Sequence, residues 1–186
     1  MKLTELFPID ITKEISEAFD RVLKYKSIGN KTEGDTKFFL YEIENTKPLI
    51  KIQVKIKKIA GKIIGELSFF TDEHGFEQLN ISSSGKALSV IATVANLAEK
   101  FIPQLDIIFF TCKLIVPNDN SEEKWARAEK EVKTKSRIYS KLSHQLATKN
   151  HLNYQSFTAK GDSGFVLSKD VEIKPADIVK YYGDWG

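Results

Sequence analysis

The residues with the most chemical promise sit at the entry to an amphipathic stretch, Ser82-Ser83-Ser84-Gly85-Lys86-Ala87. Glycine and small side chains let a backbone approach a ligand closely. The first amides of a helix have no partner within it, and the helix dipole is positive there. Such an entry can therefore hold an anion such as a pyrophosphate. Lys86 would add a full charge. The plainer reading is a tight helix start, and the residues alone leave both open.

The other reactive types are scattered. Cys112 is the single cysteine, so an internal disulfide cannot form and a reducing compartment is expected. It closes an apolar run and reads as a buried thiol before a reactive one. His74, His144 and His151 do not have metal-ligand spacing, and no metal is expected. No G-x-S-x-G nucleophile turn occurs. Lys51, Lys55, Lys57 and Lys58 read as a solvated sheet face, and a net charge of +3 is weak, so nucleic acid is not expected as a partner. The N-terminus lacks the apolar core of a signal peptide, and the apolar stretches are too short to span a bilayer. The chain is expected to be cytoplasmic and off the membrane.

These residues need elements to hold them. Ile15, Ala18, Phe19, Val22 and Leu23 share one helical face, which predicts a helix over 10–24 opened by Asp10. The turn-rich stretch Ser27 to Asp35 reads as a loop. Three strands follow, at about 37–44, 49–59 and 63–71. The middle one alternates Ile50, Ile52, Val54 and Ile56 with Lys51, Gln53, Lys55 and Lys57, and short connections make the three an antiparallel meander. A brief strand is expected at 76–82. Ala87, Val90, Ile91, Val94, Leu97, Ala98 and Phe101 form the stripe of a helix over 86–101 that Pro103 ends.

The continuous apolar run from Asp106 to Val116 reads as a central strand covered on both faces. A charged helix follows over 122–149, with a weakly apolar middle at Lys133-Thr134-Lys135 where it could break. Strands at 153–158 and 164–168 close the domain, with Asp162-Ser163-Gly164 as the turn between them. Residues 1–169 are expected to form one α+β domain and 170–186 a tail. Val171 and Ile173 could extend a strand. The aromatic end, Tyr181, Tyr182 and Trp185, suggests docking onto the domain or onto a protein partner.

This order of elements resembles the GNAT superfamily of N-acyltransferases over roughly residues 10–168, with a mixed central sheet in which a meander precedes α-β-α-β-β. The family's helix-entry signature is Gln or Arg, two residues, Gly, one residue, then Gly or Ala. Gly85 and Ala87 match it, while Ser82 stands where Gln or Arg belongs. By resemblance, Ser83, Ser84, Gly85, Lys86 and Ala87 would bind the pyrophosphate of acetyl-CoA or another acyl-CoA. The stretch Ser136-Arg137-Ile138-Tyr139-Ser140-Lys141-Leu142 is similar to one that carries a Tyr able to protonate the leaving thiolate. That makes Tyr139 the candidate acid, against a packed tyrosine. Glu66, on the third predicted strand, is the candidate base, against a solvated strand residue.

Segments 83–94, 106–111 and 136–139 also look like small GNAT-like proteins of tailed bacteriophages. The resemblance implies an acyl-CoA-dependent N-acyltransferase in a host cytoplasm, with its acceptor open. The alternative is a non-catalytic phage structural or assembly protein on the same scaffold, in the virion or with a protein partner.

Overall fold

A computed structural model describes residues 21–47, 49–71, 86–112, 121–159, 162–169 and 173–183. They form a mixed α+β fold, a seven-stranded sheet with three helices. The strands are β1 (Tyr25–Glu33), β2 (Thr36–Ile43), β3 (Ile50–Ile59), β4 (Lys62–Thr71), β5 (Ile107–Cys112), β6 (Asn153–Ala159) and β7 (Asp162–Ser168). The helices are α1 (Lys86–Phe101), α2 (Glu122–Asn150) and α3 (Pro175–Gly183). Sheet order is β1-β2-β3-β4-β5-β7-β6. The pairing of β4 with β5 is parallel and every other pairing is antiparallel.

The expected meander is present and gains a strand. Residues 25–33, which include most of the expected loop, pair with β2 through a bulge between Ser27 and Gly29. Nearly all of β1 is exposed, so no apolar alternation marks it. The ladder to β2 makes it a strand, with Gly34 at φ +56° in the reversal. Residues 21–24, the end of the expected first helix, are irregular. The backbone N–H of Leu23 instead donates to Thr93 Oγ1 at 2.9 Å. The remainder of that helix and the brief strand at 76–82 lie outside the described residues.

Local chemistry sets the hairpins. Thr46 Oγ1 donates to the Ile43 carbonyl at 3.2 Å and accepts from the Ile50 amide at 3.0 Å, closing the β2–β3 turn. Ala60 and Gly61 both have positive φ, 49° and 82°, the two-residue type I′ geometry that matches strand twist. Asp162-Ser163-Gly164 is not the β6–β7 turn but part of β7, because Ala159 already pairs with Asp162. Gly164 has another reason to be glycine. A Cβ there would lie 2.5 Å from the Phe110 carbonyl oxygen and 2.9 Å from the Phe157 ring.

The charged helix does not break at Lys133-Thr134-Lys135. It runs unbroken from Glu122 to Asn150, and no Gly or Pro interrupts it. A polar middle is compatible with helix because Glu and Lys are good helix formers, and Glu129 and Lys133 are exposed. It ends at His151 in the left-handed region (φ 55°), whose N–H reaches the carbonyls of Ala147 and Thr148.

Two cores flank the sheet. On one face α1 and α2 pack Val94, Leu97, Phe101, Leu142 and Leu146 onto Ile52, Val54, Leu67, Ile108 and Phe110. On the other, Ile178 of α3 joins Ile64, Ile107, Phe109, Phe157 and Val166. Residues 107–110 of β5 are buried and alternate between the two cores, as expected for a central strand. In the segment read as a tail, Ile173 is in no strand. The Gln155 side chain holds it, donating to the Ile173 carbonyl at 3.0 Å and accepting from its amide at 3.2 Å. No described helix is long and apolar enough to cross a membrane.

Candidate functional site

In the parallel pair β4–β5 the ladder ends before either strand does. Its base is tied. The Asp106 amide donates to the Ile63 carbonyl at 2.8 Å, and the Ile63 amide donates to Asp106 Oδ2 at 2.8 Å. Three registered pairs follow, Ile64 with Ile107, Gly65 with Ile108 and Glu66 with Phe109. Among the described residues no further pair joins the two strands. β4 nevertheless continues to Thr71, held by β3 as far as Ile50, and β5 continues to Cys112, held by β7. Each strand follows its outer neighbour, leaving a stretch beyond Glu66 and Phe109, the mouth of the pair, where no ladder joins them among the described residues. Gly65 permits close packing at the base, since a Cβ there would meet Leu105 Cδ1 at 2.5 Å.

Glu66 belongs to the last registered pair, at the start of this mouth. It is half-buried, and Thr111 Oγ1 donates to its Oε1 across the opening at 3.4 Å, a long hydrogen bond. Lys55 is its cross-strand partner on β3. By strand alternation Glu66 lies on the α3 side of the sheet with Ile64 and Phe109. Tyr139 lies on the other side. It is 7% exposed within the α1–α2 core, and its ring stacks on Phe69 of β4 at a centroid distance of 6.1 Å. Phe69 is past the last β4–β5 pair, so both candidates border the opening, one on each face.

Ser83, Ser84 and Gly85 lie outside the described residues. Lys86 and Ala87 form the first turn of α1, and their side chains are outside the described set. Among the described residues no cluster of three or more His, Cys, Asp or Glu gathers to hold a metal. Of the aromatic end, Tyr181 packs against the α3-side core. The side chain of Tyr182 and all of Trp185 lie outside the described residues.

Sequence reasoning missed Thr111, which acquires a role only because β5 runs past the end of its pairing with β4. It also missed an open cleft of about 700 Å³ between α2 and the β6–β7 edge. A signal was present. Ser136, Ser140 and His144 recur every four residues, beside the core positions Tyr139 and Leu142. Such spacing puts a polar stripe on the shoulder of the helix. Comparison with protein-family models, curated proteins and solved structures yields no match.

Proposed function

We propose that the chain is a GNAT-like acyl-CoA-dependent N-acyltransferase, with the mouth between β4 and β5 as its active site. The observation that carries this reading is the end of the parallel ladder at Glu66 and Phe109 while both strands continue. An opening between central strands gives an extended ligand two edges of backbone amides and carbonyls that have no partner strand. It also opens at the carboxyl ends of parallel strands, where ligands of open sheets commonly bind.

An acyl-CoA would supply an acyl group already activated as a thioester. Residues 83–87 would hold its pyrophosphate. Glu66 would take a proton from the acceptor amine, with Thr111 orienting the carboxylate. Tyr139 Oη would hold the proton needed by the departing sulfur. The test is calorimetric titration of the full chain with acetyl-CoA, alongside thermal unfolding. Saturable heat and a raised melting temperature are expected. No heat and no shift at millimolar ligand overturn the reading.

A specific observation favours the second reading, a non-catalytic scaffold for phage structure or assembly. Tyr139 is packed into the core on the face opposite Glu66. A proton donor for the same reaction would then have to reach the substrate through the mouth itself. In that case acetyl-CoA does not bind, and the chain co-purifies with a protein partner.

A further inference from the structure

The cleft between α2 and the sheet edge is separate from the β4–β5 mouth and has its own chemistry. We propose that it binds a small hydroxylated oxyanion, a sugar phosphate or a sugar acid. Tyr139, Leu142 and Leu146 point into the core, while the adjacent stripe overhangs the edge strand β6. Where an apolar helix face would seal against the edge, Ser136, Ser140, Lys141 and His144 are presented instead, opposite Tyr154 and Ser156.

The lining is biased towards donors. Lys141 supplies an ammonium, Gln145 an amide and Ser136 and Ser156 hydroxyls, and no carboxylate is among the described lining residues. An ammonium set among hydroxyl and amide donors favours negative oxygen ligands. The groups are also positioned. The hydroxyls of Ser140 and Tyr154 share a hydrogen bond of 2.9 Å, tying helix to edge strand. His144 Nδ1 lies 3.3 Å from Thr148 Oγ1, which leaves Nε2 as the ring nitrogen a ligand would meet.

The back wall is aromatic. The Tyr154 ring stacks on Phe165 with centroids 5.9 Å apart and planes at 15°, and His144 tilts over Tyr154 at 5.5 Å. An apolar wall with a polar rim suits a ligand with one carbon-rich face and several hydroxyls. The cleft, about 700 Å³ and wide open to solvent, has room for a sugar-sized ligand. Acyl-CoA is not required for any of this, so the site stands whether or not the β4–β5 mouth is catalytic.

Amide NMR titration of the full chain with glucose 6-phosphate, gluconate and glucose tests the proposal. Saturable shifts at Ser140, Lys141, His144 and Tyr154 are expected with one or both anions, and the stronger of the two identifies phosphate or carboxylate as the natural head group. Glucose should be far weaker. Lys141→Gln should weaken binding roughly ten-fold, the scale of one charge-assisted hydrogen bond. Lys149→Gln on the same helix should not, because Lys149 pairs with Glu99 outside the cleft. Thermal unfolding of each variant confirms that it folds. No saturable shift, equal binding of glucose, or equal weakening by Lys149→Gln overturns the proposal.

Discussion

The ring of Tyr139 stacks on Phe69, with centroids 6.1 Å apart and planes at 24°, joining helix α2 to the part of β4 that has left β5. The contact fixes how far the helix stands from the mouth of the parallel pair. Tyr139→Ala should cost about 3–5 kcal/mol, since it removes a buried aromatic and leaves a cavity. Urea unfolding reads that cost. Tyr139→Phe keeps the ring and should retain most of the stability. If the hydroxyl is also an acid, this variant should lose acyl transfer out of proportion to its loss of stability.

Two glycines differ in what they would strike. A Cβ at Gly164 would meet the Phe110 backbone oxygen at 2.5 Å, whereas one at Gly65 would meet the side chain of Leu105. A carbonyl held in the β5–β7 ladder cannot move aside, but a leucine can change rotamer. Gly164→Ala should therefore destabilise by about 2–3 kcal/mol and Gly65→Ala by about 1 kcal/mol. Denaturant midpoints of the two variants, measured side by side, check the order. Equal costs would show that Leu105 is as confined as the backbone.

Helix α3 covers the second core through Ile178, which is 2% exposed among Ile59, Ile64, Ile107 and Phe109. Ile178→Ala should cost about 3 kcal/mol. Deleting residues 170–186 should expose this face of the sheet, raising binding of a hydrophobic dye and lowering the melting temperature. A truncated chain as stable as the full one would make α3 dispensable to the fold.

Stability should fall at alkaline pH partly through Tyr41. Burial raises its phenol above the ordinary tyrosine value near 10.0, helped by neighbouring Tyr25 and opposed by Lys100. A raised folded value means that the native state keeps a proton the unfolded chain gives up. The contribution is complete below pH of about 10 and is lost as pH rises towards the folded value. Tyr41→Phe should flatten that part of the stability curve while leaving neutral pH little changed. Unfolding midpoints between neutral and strongly alkaline pH read the difference.

What could be read along the chain was what repeats along the chain. The alternation of Ile50, Ile52, Val54 and Ile56 with lysines marked β3, and the stripe through Val94, Leu97 and Phe101 marked α1. The unrelieved apolar run at Ile107–Phe110 marked a strand buried on both faces. These patterns are local, because a periodicity needs only its own residues to be visible. Glu66 and Tyr139 could be named as types on elements, but not as neighbours or strangers.

Tertiary structure decided the rest, because it depended on partners distant in the sequence. β1 became a strand through pairing with β2, without an apolar pattern of its own. Gly164 moved from turn to strand interior because Ala159 had already paired with Asp162. The β4–β5 ladder ends at Glu66 and Phe109 while β4 stays paired with β3 and β5 with β7. Which face of the sheet each candidate side chain occupies follows from that register, since strand side chains alternate and one residue of slip reverses them all.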